Sequence, residues 1–153
     1  MQTSQSTADP RTVFESLIRG ITDGSWDRLA DLYAEDAVVE LPFALPAPVR
    51  LEGREAVRAH FAAAAGGPLR LTVHDVVVHR TADPEVVVAE FGYEIRTPAA
   101  GEAFHTANVQ VLRVRDGLVV ASRDYHNHAA LAAALGQLPA TPTPPGDAAP
   151  RQG

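Results

Sequence analysis

The chain has 153 residues, a formal net charge of −6 and no cysteine; all 13 of its Lys+Arg residues are arginines. That size predicts a single domain able to bury its own core, and the missing thiols exclude disulfides, cysteine nucleophiles and cysteine-ligated zinc. The acidic balance argues against nucleic acid as a partner, and no run nears the ~18 apolar residues of a membrane span.

Residues 1–9 are polar and predict a disordered N-terminus. "MQTSQSTADP" has neither the basic start nor the apolar core of a signal peptide, so a cytoplasmic protein is expected. Asp9-Pro10 then reads as N-cap and first helical position, and Val13, Phe14, Leu17, Ile18 and Ile21 recur at helical spacing. Asp23-Gly24 closes that helix. Trp26, Leu29, Ala30, Leu32 and Tyr33 predict a second helix, and "DAVVELPF" a short strand stopped by Pro42. "LPFALPAPVRLEG" reads as a rigid loop, and "GREAVRAHFAAAAGG" as a third helix closed by Gly66-Gly67. Four β-rich runs follow: "LRLTVHDVVVHRT", "EVVVAEFGYEIRT", "FHTANVQVLRVR" and "LVVASRDYHNH". The last two are joined by Asp116-Gly117, the strongest hairpin signal in the chain. "AALAAALGQL" predicts a short closing helix, and the proline-rich 139–153 a flexible tail. Helices first and adjacent strands after predict an α+β domain over 10–138.

"LYAEDAVVELPF", "LEGREAVRAHF" and the final "DGLVVASRDYH" resemble the nuclear transport factor 2-like superfamily. This is the cone fold of ketosteroid isomerase, scytalone dehydratase, limonene-epoxide hydrolase and the SnoaL-like polyketide cyclases. The resemblance implies a curved antiparallel or mixed sheet wrapped around N-terminal helices, a cone-shaped pocket for a small hydrophobic metabolite, and a homodimer. Residue by residue, the isomerase's proton-shuttling aspartate falls at Leu41, its oxyanion-hole tyrosine at Leu17 and its aspartic acid at Ala107. None of the three polar groups is present, which argues against steroid isomerisation by that mechanism. The cyclase-like pattern Gly-x-Ile-x-x-His-Trp-Asp lands its acid on Asp124 of "GLVVASRD", with Ser122-Arg123 where the family has His-Trp.

The hairpin supplies an independent geometry. A two-residue turn at Asp116-Gly117 and an unbroken ladder place Val111 opposite Ser122, Val109 opposite Asp124, Ala107 opposite His126 and His105 opposite His128. Strand alternation then gives one face with His105, Ala107, Val109, Val111, Ser122, Asp124 and His126, and a second with Thr106, Asn108, Gln110, Arg123, Tyr125 and Asn127. The first face, apolar with an acid and imidazoles, is the expected pocket wall.

On this reading Asp124 is the general acid/base, with His126 and His105 relaying protons or binding an oxygen. Tyr33, Leu41, His60, Phe61, Phe91, Tyr93, Ala107, Val109 and Ser122 are the expected substrate contacts. Trp26 reads as a packing residue, and Glu90 and Glu94 as solvent or interface charges. Glu40 points away from the cone unless a bulge turns it, and His128 lies at or beyond the strand end. His74 and His79 have opposite parity, so both cannot face the pocket. His105, Asp124, His126 and His128 are also ligand types of a two-His-one-carboxylate site. Their spacing matches no metal signature, and neither metal nor organic cofactor is expected. The expectation is a cofactor-free cyclase or isomerase of biosynthesis. Epoxide hydrolysis or dehydration, a non-catalytic binding protein and an oligomerisation module are the alternatives.

Overall fold

A computed structural model describes residues 7–98 and 101–136. The predicted tail 139–153, and residues 1–6 of the predicted N-terminal segment, lie outside the described residues.

Helix α1 (Pro10–Asp23) starts where Asp9 accepts a hydrogen bond from the Thr12 amide at 2.8 Å, and it ends at Gly24, whose φ of 71° suits a residue without Cβ. Val13, Phe14, Leu17 and Ile21 form its buried face. Helix α2 (Trp26–Leu29) is shorter than predicted. A 3-10 turn over Ala30–Leu32 follows, and Tyr33 already opens strand β1 (Tyr33–Leu41). The apolar spacing that predicted one helix also suits a helical turn feeding a strand; pairing of Tyr33 with Val119 decides the outcome. The proline-rich segment, expected as a loop, holds a short strand β2 (Val49–Glu52) that pairs antiparallel with β1. Arg50 fixes that pair from the outer face by bonding Glu40 at 2.7 Å and Glu52 at 2.9 Å. Helix α3 (Arg54–Ala65) follows.

Strands β3 (Arg70–Arg80), β4 (Val86–Arg96), β5 (Phe104–Arg115) and β6 (Leu118–Tyr125) complete a six-stranded sheet of order β2-β1-β6-β5-β4-β3. All neighbours are antiparallel except β1 and β6, which run parallel. The sheet is curved and open, an α+β cone as expected. Helix α4 (His128–Ala134) closes the described chain, with Asn127 as its N-cap accepting from the Ala130 amide.

Helices α1 to α3 fill the concave side. Phe14 is fully buried, with its ring 5.6 Å from that of Phe91 on β4. This contact joins the first helix to strand β4 of the sheet. Phe14→Ala is therefore expected to destabilise the domain by ~3–5 kcal/mol in urea unfolding. A loss below ~1 kcal/mol would show that α1 is not an integral part of the core.

Candidate functional site

A cavity of about 350 Å³ lies between the helices and the concave face of the sheet. Leu17 and Ile21 of α1, Val39 and Leu41 of β1, and Val57 and Phe61 of α3 supply its apolar walls. Its polar groups are Tyr33, His60, Tyr93, Gln110, Asp124, His126 and His128, and Leu131 and Leu135 flank it from the C-terminal side. Few polar groups in an apolar concavity are the usual composition of a small-molecule site.

The register of the last hairpin differs from the unbroken ladder. Arg115 pairs with Leu118 and Val114 with Val119, but Arg113 then pairs with Ala121. Val120 is the extra residue of a β-bulge, which turns the strand by one position. Ser122 consequently lies opposite Leu112, and Asp124 opposite Gln110. The inner face carries Thr106, Asn108 and Gln110 with Ser122 and Asp124. His105, Ala107, Val109 and Val111 belong to the outer face, where Glu94 stands opposite His105 and Gly92 opposite Ala107. His105 as a proton relay, and Ala107 and Val109 as substrate contacts, are therefore corrected: none of the three lines the cone.

Asp124 sits at the centre of a directed chain of hydrogen bonds. Gln110 Nε2 donates to Ser122 Oγ at 2.9 Å, and the Ser122 hydroxyl donates to Asp124 Oδ1. Because the amide donates into the serine oxygen, the single serine proton is directed to the carboxylate. Desolvation pushes the Asp124 carboxyl up to about 6, against the opposing pull of the Ser122 bond and of His60 and His128. Burial, reinforced by the negative charge at Asp124, holds the phenols of Tyr33 and Tyr93 above their ordinary value, so both remain neutral donors.

His126 follows Asp124 into the pocket. Its ring meets Phe91 and Tyr93 edge-on at 5.7 and 5.8 Å and stacks on His128 at 6.2 Å. Desolvation, assisted by His60, depresses its pKa to about 4. Desolvation lowers His60 and His128 as well. Below the site, Asn108 Nδ2 donates to Thr106 Oγ1 at 3.1 Å, and Asn108 Oδ1 accepts the Asn127 amide at 3.0 Å. That ladder ties the start of α4 to β5.

Of the residues singled out from sequence, Tyr33, Leu41, His60, Phe61, Tyr93, Asp124 and His126 line one cavity, joined by His128. Trp26 also lines it and packs on Phe61 with ring centres 6.1 Å apart. Phe91 stands behind His126, and Ser122 beneath Asp124, rather than on the cavity surface. Glu40 points outward to Arg50. A bulge in β3 between His74 and Val77 brings His74 and His79 to one face, opposite Gly92 and Val88; both lie outside the cone. Gln110, with Thr106 and Asn108, lies on the inner face, opposite to the facing expected from an unbroken ladder. Among the described residues, no group of three or more His, Cys, Asp or Glu side chains stands close enough to hold a metal ion. No helix among them is long and apolar enough to cross a membrane.

The family model for the SnoaL-like domain matches residues 14–122. An uncharacterized PhzA/B-like protein of Pseudomonas aeruginosa is 33% identical over 126 residues, spanning 80% of this chain and 87% of that protein. A Bacillus subtilis crystal structure, provisionally named an isomerase, is similar with a TM-score of 0.75 at 26% identity, over 82% of this chain and 91% of the other. The epoxide hydrolase/cyclase-like enzyme SalBIII, named for pyran ring formation in salinomycin, shares the fold with a TM-score of 0.62 at 16% identity, over 78% and 91% of the two chains.

A carboxyl raised to about 6 is charged at a cost in the folded state. The unfolded chain releases that proton near pH 4, so the cost is absent below pH ~4 and complete above about 6. Asp124→Asn is expected to stabilise the domain at pH 7.5 by ~1–3 kcal/mol in urea unfolding and to change little at pH 4. The same shift at both pH values would contradict a desolvated carboxylate.

Proposed function

The chain belongs to the SnoaL-like domain family, and on that premise we propose that it is a cofactor-free acid/base enzyme acting on a small hydrophobic carbonyl compound, of polyketide-cyclase or isomerase type. The observation that carries this reading is one carboxylate, raised to about 6, inside an apolar cavity and oriented by Gln110 and Ser122. A base with a pKa near the working pH combines a useful ionised fraction with real proton affinity.

In the proposed reaction the Asp124 carboxylate removes a proton from carbon next to a carbonyl. The C–H electron pair becomes that of an enolate. In an isomerisation, the same proton returns to a different carbon. In a cyclisation, the enolate carbon bonds to a second carbonyl carbon of the same molecule, and the alkoxide formed there takes the proton back from Asp124. Tyr33 and Tyr93 would donate to the oxygen on which charge gathers. His60, His126 and His128 would remain neutral at pH 7 and add no cation to the site.

A non-catalytic binding protein is the second reading, favoured by the two leucines, Leu17 and Leu41, that line the cavity at positions where the resembling isomerase has its tyrosine and aspartate. The proposal also takes the protein to act in the cytoplasm, in biosynthesis and as a homodimer. Half-exposed Val77 and the outer-face strand residues Val109 and Val111 are a suitable contact. Light scattering at micromolar concentration should read twice the chain mass; a monomer at every concentration removes that part.

Proton exchange tests the central reading without knowledge of the natural substrate. 2-Tetralone in deuterated water, followed by proton magnetic resonance, should lose its α-protons faster with the enzyme than without. The rate should rise with pH through about 6, as Asp124 ionises. Asp124→Asn should lower the enzymatic rate by ~100-fold or more with binding retained. Binding with no exchange in the parent protein would favour the second reading. Exchange unchanged in Asp124→Asn would rule out Asp124 as the base. Ser122→Ala removes the bond that lowers the carboxyl pKa, so its rate profile should move to higher pH.

A further inference from the structure

Two buried polar atoms in the cavity wall have no partner among the described residues: Nε2 of His126 and Nε2 of His128. Both residues line the cavity, their rings stacked at 6.2 Å with planes 26° apart. A buried imidazole nitrogen without a hydrogen bond is costly, and native structures tolerate it chiefly where something else completes the bond. The buried polar groups beneath this wall are already paired with one another. Ser122 is taken by Gln110 and Asp124, and Asn108 by Thr106 and the Asn127 amide.

We propose that the His126 and His128 imidazoles are a polar recognition element of the cavity beside the two tyrosines, binding one neutral carbonyl or hydroxyl oxygen of an otherwise apolar ligand. The assignment rests on the acid/base reading only for what happens next to that oxygen, at Asp124. Neutral imidazoles can give an N–H to a carbonyl, or share a hydroxyl as donor and acceptor. A carboxylate ligand is disfavoured for three reasons. Among the described residues no arginine lines the cavity, and the chain has no lysine. Both imidazoles are held neutral by desolvation. Asp124 adds a negative charge on the same wall. The α4 segment that carries His128 also brings Leu131 and Leu135 to the cavity, so one short helix supplies a polar contact and an apolar flank.

Calorimetric titration at pH 7.5 with four ligands of one shape tests this: 2-acetylnaphthalene, 1-(2-naphthyl)ethanol, 2-isopropenylnaphthalene and 2-naphthoate. The ketone or the alcohol should bind roughly 10-fold or more tightly than the hydrocarbon, since the hydrocarbon leaves the imidazoles unpaired. Naphthoate should bind more weakly than the ketone. His126→Phe and His128→Leu should each reduce the preference for oxygen over hydrocarbon, with hydrocarbon affinity kept. His126→Gln, which keeps an amide donor, should restore part of it. His128→Leu serves as the independent variant if the core substitution at His126 does not fold. Asp124→Asn separates the two proposals. If it abolishes exchange but keeps the oxygen preference, both stand. If exchange is unaffected while the preference holds, only the acid/base reading falls. Equal affinity for ketone and hydrocarbon, tightest binding of naphthoate, a preference unchanged in both histidine variants, or no binding of any of the four overturns the proposal made here.

Discussion

The extra residue at Val120 governs the chemistry of the cone. Strand partners share a face, so one inserted residue decides which face of β5 meets Ser122 and Asp124. With the bulge, the acid is opposite Gln110, an amide able to orient a serine beneath it. Without it, the acid would stand over Val109, with no donor from β5. The bulge also lets Val119 and Ser122 both face inward although three positions apart, so β6 can carry core packing at one end and the acid at the other. The strand continues to pair with β1 on its far side, where a separate irregularity lies between Tyr33 and Val38.

Given that register, the electrostatics follow from where cations are kept. Arg50 is held at the outer edge by Glu40 and Glu52; Arg113 and Arg115 are held outside by Asp83 and Glu85. These pairs are largely exposed and add little stability individually. Their consequence for the site is that, among the described residues, no guanidinium reaches the cavity to neutralise Asp124. Desolvation is then opposed only by a serine hydroxyl and by imidazoles that burial itself discharges. An arginine in the wall would pull the carboxyl down and remove its basicity at pH 7.

Much of the architecture was legible because its signals are local. Asp9-Pro10, Gly24 and Asp116-Gly117 each impose a backbone geometry on their own positions, and helix and turn boundaries follow. The bulge is not of that kind. "LVVAS" is uniformly strand-forming, and nothing in its composition marks Val120 as the unpaired residue. The facing of β5 was nevertheless readable by another route. Arg113 and Arg115 share parity with His105, Ala107, Val109 and Val111, whereas Leu112 and Val114 share it with Thr106, Asn108 and Gln110. Two arginines on one parity and two aliphatic residues on the other identify the outer and inner faces. The polar look of Thr106, Asn108 and Gln110 concealed this, because buried amides with satisfied bonds resemble solvent-facing residues in a sequence.

Ser122-Arg123, at the positions where the resembling cyclase-like pattern has His-Trp, can be weighed in the same terms. Position 123 lies on the outer face opposite Val111, so its arginine puts a cation outside the cone. Position 122 is buried directly beneath the acid, where serine is small enough to fit and donates its proton to Asp124. An imidazole there would occupy the volume into which Gln110 reaches. Two histidines of this chain stand close by, His126 in the junction after β6 and His128 as the first residue of α4. Stacked there, they place two imidazoles on the cavity wall beyond the carboxylate. The group that orients the acid is a hydroxyl whose own orientation is fixed by an amide from the neighbouring strand.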